Sequence, residues 1–149
     1  MDWLEHRIPP PLVVFITGVL MWLAVRPVAP LGHRAWLALL VALAGVAVCL
    51  AGVASFRRAR TTVNPLKPES ASSLVVSGIY RHTRNPMYLG FAIMLLGWCV
   101  FLGSALAVLG VAAFVLYIGR FQIRPEERAL RELFGAQFDA FCTRVRRWV

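Results

Sequence analysis

The sequence predicts an all-α integral membrane protein: four transmembrane helices, the last two folded as a short hairpin, followed by an amphipathic helix at the cytosolic interface. Three observations predict it. Hydrophobic residues make up 59% of the 149 and charged residues only 15%, a balance too apolar for a soluble domain of this size. The charges are confined to stretches between long uncharged runs. The basic residues, finally, fall almost entirely on one side of the spans those runs define.

The first run, residues 8–25, holds 18 uncharged residues, and the second, 35–56, holds 22. At about 1.5 Å per residue each can span a hydrocarbon core roughly 30 Å thick. Asp2 and Glu5 precede the first run and no clear small-x-small cleavage site follows it, so it reads as a permanent helix rather than a signal peptide. The third run, 85–119, holds 35 residues. As one helix it would be about 52 Å long, so it must fold back. Gly103 and Ser104 at its middle are the natural turn, giving helices over 86–102 and 105–119. Gly90, Gly97 and Gly110 predict close backbone approach inside this hairpin.

Four spans place the N-terminus, the 57–84 loop and the C-terminal tail together. That side holds 14 of the 16 Lys and Arg; Arg26 and Arg34 are the exceptions. The asymmetry puts the basic side in the cytosol of a cell bounded by an inner membrane. It also accounts for the net charge of +9 without nucleic acid as a partner. Cys49, Cys99 and Cys142 lack metal-ligand spacing, so no metal is expected. The chain divides into two N-terminal helices, 1–56, and a second unit, 57–149.

The last element spans 125–148. Leu130, Leu133, Phe134, Phe138, Phe141, Val145 and Trp148 recur at three- and four-residue steps, the stripe of an amphipathic helix bent at Gly135. Pro125, Glu126 and Glu127 suit its first turn, and Glu127 is spaced to pair with Arg131. Interfacial membrane binding alone would account for this stripe.

Two polar segments carry the chemistry. In "SGIYRHTRNPMYLG", residues 77–90, Asn85 and Pro86 read as an N-cap and first-turn pair. Such a helix start offers free N–H groups to an anion. Tyr80 and Tyr88 offer ring faces to a cation, and Arg81, His82 and Arg84 add positive charge. A zwitterion with a delocalised cation suits such a place. The hairpin brings Glu126 and Glu127 beside it.

"LVVSGIYRHTRNPMYLG" followed by "RFQIRPEERALRELFGAQFDAFCTRVRRW" resembles the isoprenylcysteine carboxyl methyltransferase family of integral membrane enzymes, its small bacterial members especially. The chain is similar, more distantly, to phospholipid N-methyltransferases. The likeness covers residues 60–149. It implies S-adenosyl-L-methionine as methyl donor, leaving as S-adenosyl-L-homocysteine, and a lipophilic or lipid-anchored acceptor drawn from the membrane lipid phase. By position it implies donor contacts from Ser72, Ser73, Leu74, Val75, Tyr80, Arg84, Asn85, Pro86, Met87, Tyr88 and Gly90, with Glu127 holding donor polar groups. Glu126 stands nearer the acceptor and Arg120 helps place it, with Arg124 and Gln122 as alternatives. The family often has His where this chain has Asn85, which removes a group titrating near neutrality.

Two other functions compete. A distantly similar C-terminal hairpin occurs in NADPH-dependent sterol reductases, but this chain has no GxGxxG. A noncatalytic scaffold or permeation protein would be expected to carry ionisable residues inside its spans, and the four predicted spans carry none.

Overall fold

The computed structural model describes residues 8–25, 32–59 and 73–149. Within them all regular structure is helical. Helix α1 runs Pro10–Val25, α2 Gly32–Arg58, α3 Pro86–Leu102, α4 Val108–Ile118, α5 Arg124–Phe134 and α6 Ala136–Arg144. Short 3-10 turns cover Gly78–Arg81 and Ala105–Ala107. Two helical stretches are long and apolar enough to cross a membrane, Gly32–Arg58 and the continuous path Ala105–Phe134; α1 and α3 are apolar but shorter.

The break between the third and fourth helices lies where the sequence puts it. Gly103 ends α3 in the left-handed region, φ 68°, and its N–H donates to the Cys99 carbonyl. The end of the fourth helix is different from the expectation. The chain does not stop at Gly119 but widens into a π turn, Gly119–Ile123, and continues into α5. Pro125 explains the widening: its ring has no N–H and crowds the preceding turn, and a looser turn accommodates both.

The expected C-terminal helix over 125–148 is also two helices. Gly135, at φ 47° and ψ −124°, separates α5 from α6, and α6 ends at Arg144, after which Val145 is extended. The apolar stripe is divided accordingly. Phe138, Phe141 and Val145 bury against Val75 and Tyr80, Leu133 is left 45% exposed, and Trp148 packs on the bundle of α1, α3 and α4. Most of that face is thus covered by protein.

The glycines pack a different pair of helices from the one expected. A Cβ on Gly90 would lie 2.6 Å from the Gly45 carbonyl and also strike Cys49, and one on Gly97 would lie 2.9 Å from the Ala38 carbonyl. These glycines therefore let α3 sit against antiparallel α2, not against α4. Gly110 meets Met21 of α1, and Trp98 donates to the Gly18 carbonyl at 3.0 Å. At one end of the bundle the Arg34 guanidinium covers Gly103. At the other, the starts of α1, α3 and α5 gather with the end of α2.

Candidate functional site

Two short segments far apart in sequence meet at that second end. Pro86 opens α3, and Tyr88, in its first turn, is buried among bundle residues. Its hydroxyl donates to Glu126 Oε2 at 3.2 Å. Glu126 is partly buried, and desolvation pushes its carboxyl up to about 7; the Tyr88 bond opposes the rise and the Glu127 charge adds to it. Tyr80, on the 3-10 turn, is buried edge-to-face against Phe56, centroids 5.4 Å apart. Burial first, and the Glu126 charge second, hold its hydroxyl protonated.

The neighbouring carboxylate is bound differently. Glu127 Oε1 accepts from Arg84 Nη2 at 2.8 Å and from Arg147 Nε at 3.1 Å, while Arg147 Nη2 closes a short ion pair to Oε2. It does not pair with Arg131, which instead joins Asp139 across Gly135 at 2.8 Å. Position decides this: Arg84 and Glu127 are 13% and 14% exposed, Arg131 and Asp139 52% and 57%. A shielded pair is weakly screened by solvent, an exposed one strongly.

The tail after α6 completes the clasp. Arg84 Nη1 donates to the carbonyls of Cys142 (3.2 Å) and Val145 (3.1 Å), and its backbone N–H to Arg146 O at 3.0 Å. The Arg147 carbonyl accepts from Asn85 Nδ2 at 2.9 Å and Thr83 Oγ1 at 3.3 Å. Asn85 stands at the N-cap position, but its side chain makes no cap bond to α3. The expected capping is replaced by a bond to the tail. Arg84 Nε remains buried without a partner.

The other expected residues are placed as follows. Ser72 lies outside the described residues. Ser73 Oγ donates to the Ala59 carbonyl at 3.4 Å, and Leu74 and Val75 belong to the cluster with Tyr80. The Met87 carbonyl accepts from Cys49 Sγ at 3.2 Å. Gly90 faces α2, as described. Arg120, on the π turn, lies 5.4 Å from the Phe121 ring centroid. Gln122 is fully buried and donates from Nε2 to the Ile8 carbonyl at 2.9 Å. Sequence reasoning missed Arg147 and Thr83. In "RVRRW" nothing separates Arg147 from Arg144 and Arg146, and only the folded tail selects it.

A family model described as phospholipid methyltransferase matches residues 33–137. An uncharacterized protein of Haemophilus influenzae is 44% identical over 63 residues, 42% of this chain and 100% of that protein. A probable protein-S-isoprenylcysteine O-methyltransferase of Oryza sativa subsp. indica is 30% identical over 113 residues, 74% of this chain. Protein-S-isoprenylcysteine O-methyltransferase B of Arabidopsis thaliana is 31% identical over 88 residues, 59% of this chain. The matches span 58% of the rice protein and 45% of the Arabidopsis protein. No solved structure matches.

Proposed function

The chain belongs to the phospholipid methyltransferase family, and on that premise we propose that it is an S-adenosyl-L-methionine-dependent methyltransferase of the cytoplasmic membrane. In this reading α1 to α4 all cross the bilayer and the end that gathers Tyr88 and Glu126 faces the cytosol. Phe15, Trp36, Leu40 and Leu116 are each more than 60% exposed, an outward apolar surface that suits lipid. The basic residues concentrate at the gathered end. The acceptor is lipophilic: an isoprenylcysteine-like carboxylate, a thiol or a lipid amine.

The observation that carries this reading is the bond from Tyr88 to Glu126 beside the Arg84–Glu127–Arg147 clasp. It joins the two motifs of the sequence into one polar site at the edge of an apolar bundle. The residues fit the donor by charge. Glu126 and the rings of Tyr80 and Tyr88 suit a sulfonium, and Arg84 Nε, buried and unpartnered, suits a carboxylate. When bound, the donor supplies a methyl carbon activated by the sulfonium. The protein then aligns acceptor and methyl group and excludes water.

Tyr88 holds the Glu126 carboxyl in one orientation. With its pKa pushed up to about 7, Glu126 exists in both protonation states near neutrality, so it can take a proton from an acceptor O–H or N–H. Arg120 is proposed to meet an anionic part of the acceptor. Ser73, Leu74, Val75 and Met87 are proposed as walls of the donor site, and Pro86 as the fixed start of α3; the expected donor contact at Gly90 is not proposed, because α2 fills its open face. Asn85 and Glu127 hold the tail against that site.

Equilibrium binding of radiolabelled S-adenosyl-L-methionine to detergent-solubilised protein tests this. Saturable binding is expected, weakened about tenfold by Tyr88→Ala, the order of one desolvated cation–π contact, and weakened also by Glu127→Ala, which frees the tail from the site. No saturable binding, or binding unchanged in both variants, would remove the site assignment.

A further inference from the structure

The groups assigned to the donor are closed off in this structure. Tyr88 is 4% exposed and Tyr80 6%, and the side chains of Arg84 and Glu127 are 13% and 14% exposed. A sulfonium needs the face of a ring, and a carboxylate needs the edge of a guanidinium. At such exposures a ligand reaches neither until part of the cover moves.

Much of that cover is one short piece of chain. Phe138, Phe141 and Val145 pack with Tyr80, and the carbonyls of Cys142 and Val145 hold Arg84 Nη1. The Arg147 carbonyl takes the hydrogen bonds of Thr83 and Asn85, and its guanidinium lies on Glu127. These contacts all come from α6 and the tail, residues 136–148. Gly135 joins that piece to α5. Its backbone, φ 47° and ψ −124°, suits glycine, and a Cβ placed there would meet nothing within 4 Å. The joint therefore turns in open space. On its outer side Arg131 of α5 bonds Asp139 of α6 at 2.8 Å, and the Arg131 guanidinium lies 5.5 Å from the Phe138 ring centroid. Both members of that ion pair are more than half exposed, so solvent and salt weaken it. It holds the joint shut without locking it.

We propose that residues 136–148 form a lid over the donor site, hinged at Gly135 and latched on the outside by Arg131 and Asp139. Closed, the lid supplies the tail contacts of the clasp. Open, it bares Tyr80, Arg84 and Glu127. The rest of the site stays in place, because α3 is seated on α2 by its glycines and α5 continues from α4 through the π turn. The latch exists in the closed lid with or without a ligand beneath it. Weakening it therefore speeds entry and exit together and leaves the equilibrium affinity nearly unchanged. That the lid admits the methyl donor rests on the methyl-transfer reading; the hinge does not.

The test follows amide hydrogen exchange by mass spectrometry on the full chain in phosphatidylcholine nanodiscs. Helix α6 has nine residues, and a helix that short is marginal once undocked, so each opening exposes its amides. In the unmodified protein the α6 amides are expected to exchange roughly tenfold faster than those of α5, and saturating S-adenosyl-L-methionine should slow them. Arg131→Gln releases the latch without changing the sequence of the lid. It should speed α6 exchange by about two- to fivefold, the range of one exposed ion pair. Rapid filtration with radiolabelled S-adenosyl-L-methionine should show association and dissociation quickened by the same factor. A merely structural loss would weaken binding without quickening association. Exchange of α6 at the rate of α5, or donor rates unchanged in Arg131→Gln, overturns the lid. Fast α6 exchange in a chain that binds no donor keeps the hinge and removes the methyl-transfer reading instead.

Discussion

The seam between α2 and α3 and the clasp around Glu127 are both close-packed, and opposite forces hold them. In the seam, glycines bring two backbones together and no charge takes part. In the clasp, a carboxylate, two guanidinium groups and several carbonyls do the holding. Contact area in the seam is gained through shape alone, because lipid competes with helix packing on nearly equal apolar terms. The clasp gains its strength from removing charge from water, which makes it strong when complete and costly when broken. A site that must admit a charged ligand belongs in the second kind of region.

The largest expected effect breaks the clasp. Glu127→Ala leaves Arg84, 13% exposed, without its carboxylate, and removing one member of a buried pair costs about 3–5 kcal/mol. Unfolding titrations in mixed micelles should show a loss near the lower figure. Arg147→Ala should cost less, about 1 kcal/mol, because Arg147 is 35% exposed and Glu127 keeps Arg84. Equal losses in the two variants would mean that the tail, not the Arg84 pair, carries the clasp.

The seam should respond to volume instead. Gly90→Ala puts a methyl group 2.6 Å from the Gly45 carbonyl, where the obstacle is backbone and cannot rotate away. A cost of about 2 kcal/mol is expected, within the range for overpacking, in the same titration and without dependence on ionic strength. A fully tolerated alanine would show that α2 and α3 can part cheaply and that the seam is set by lipid rather than by fit.

The regions also differ in how far the sequence disclosed them. The turn at Gly103 and the start of α3 at Pro86 were legible because glycine and proline act locally on the backbone. So was the meeting of Tyr88 with Glu126, which follows from a hairpin of fixed length. The partner of Gly90 and Gly97 was not legible, since small residues mark a close approach without naming the helix that makes it. Pro125 marks a helix start as readily as a widened turn, so the continuity of α4 into α5 was hidden. Glu127 had Arg131 at helical spacing, and only the folded tail shows that Arg84 and Arg147 hold it in shielded surroundings.

The last effect is the most diagnostic for the site. The Glu126 carboxyl is raised from 4.5 to about 7, chiefly by burial, so the folded state holds its proton over a range where the unfolded state has lost it. Between those two values the native chain binds more protons than the unfolded one, and stability therefore falls as pH rises. Affinity for a cationic donor should move the other way. The ionised fraction of Glu126 climbs from about a tenth at pH 6 to about nine-tenths at pH 8, so binding of S-adenosyl-L-methionine should tighten up to about tenfold across that interval. Glu126→Gln should flatten both slopes, while Gly90→Ala should leave both in place. A pH dependence that survives Glu126→Gln would assign the titration to another group and move the sulfonium contact away from the Tyr88–Glu126 pair.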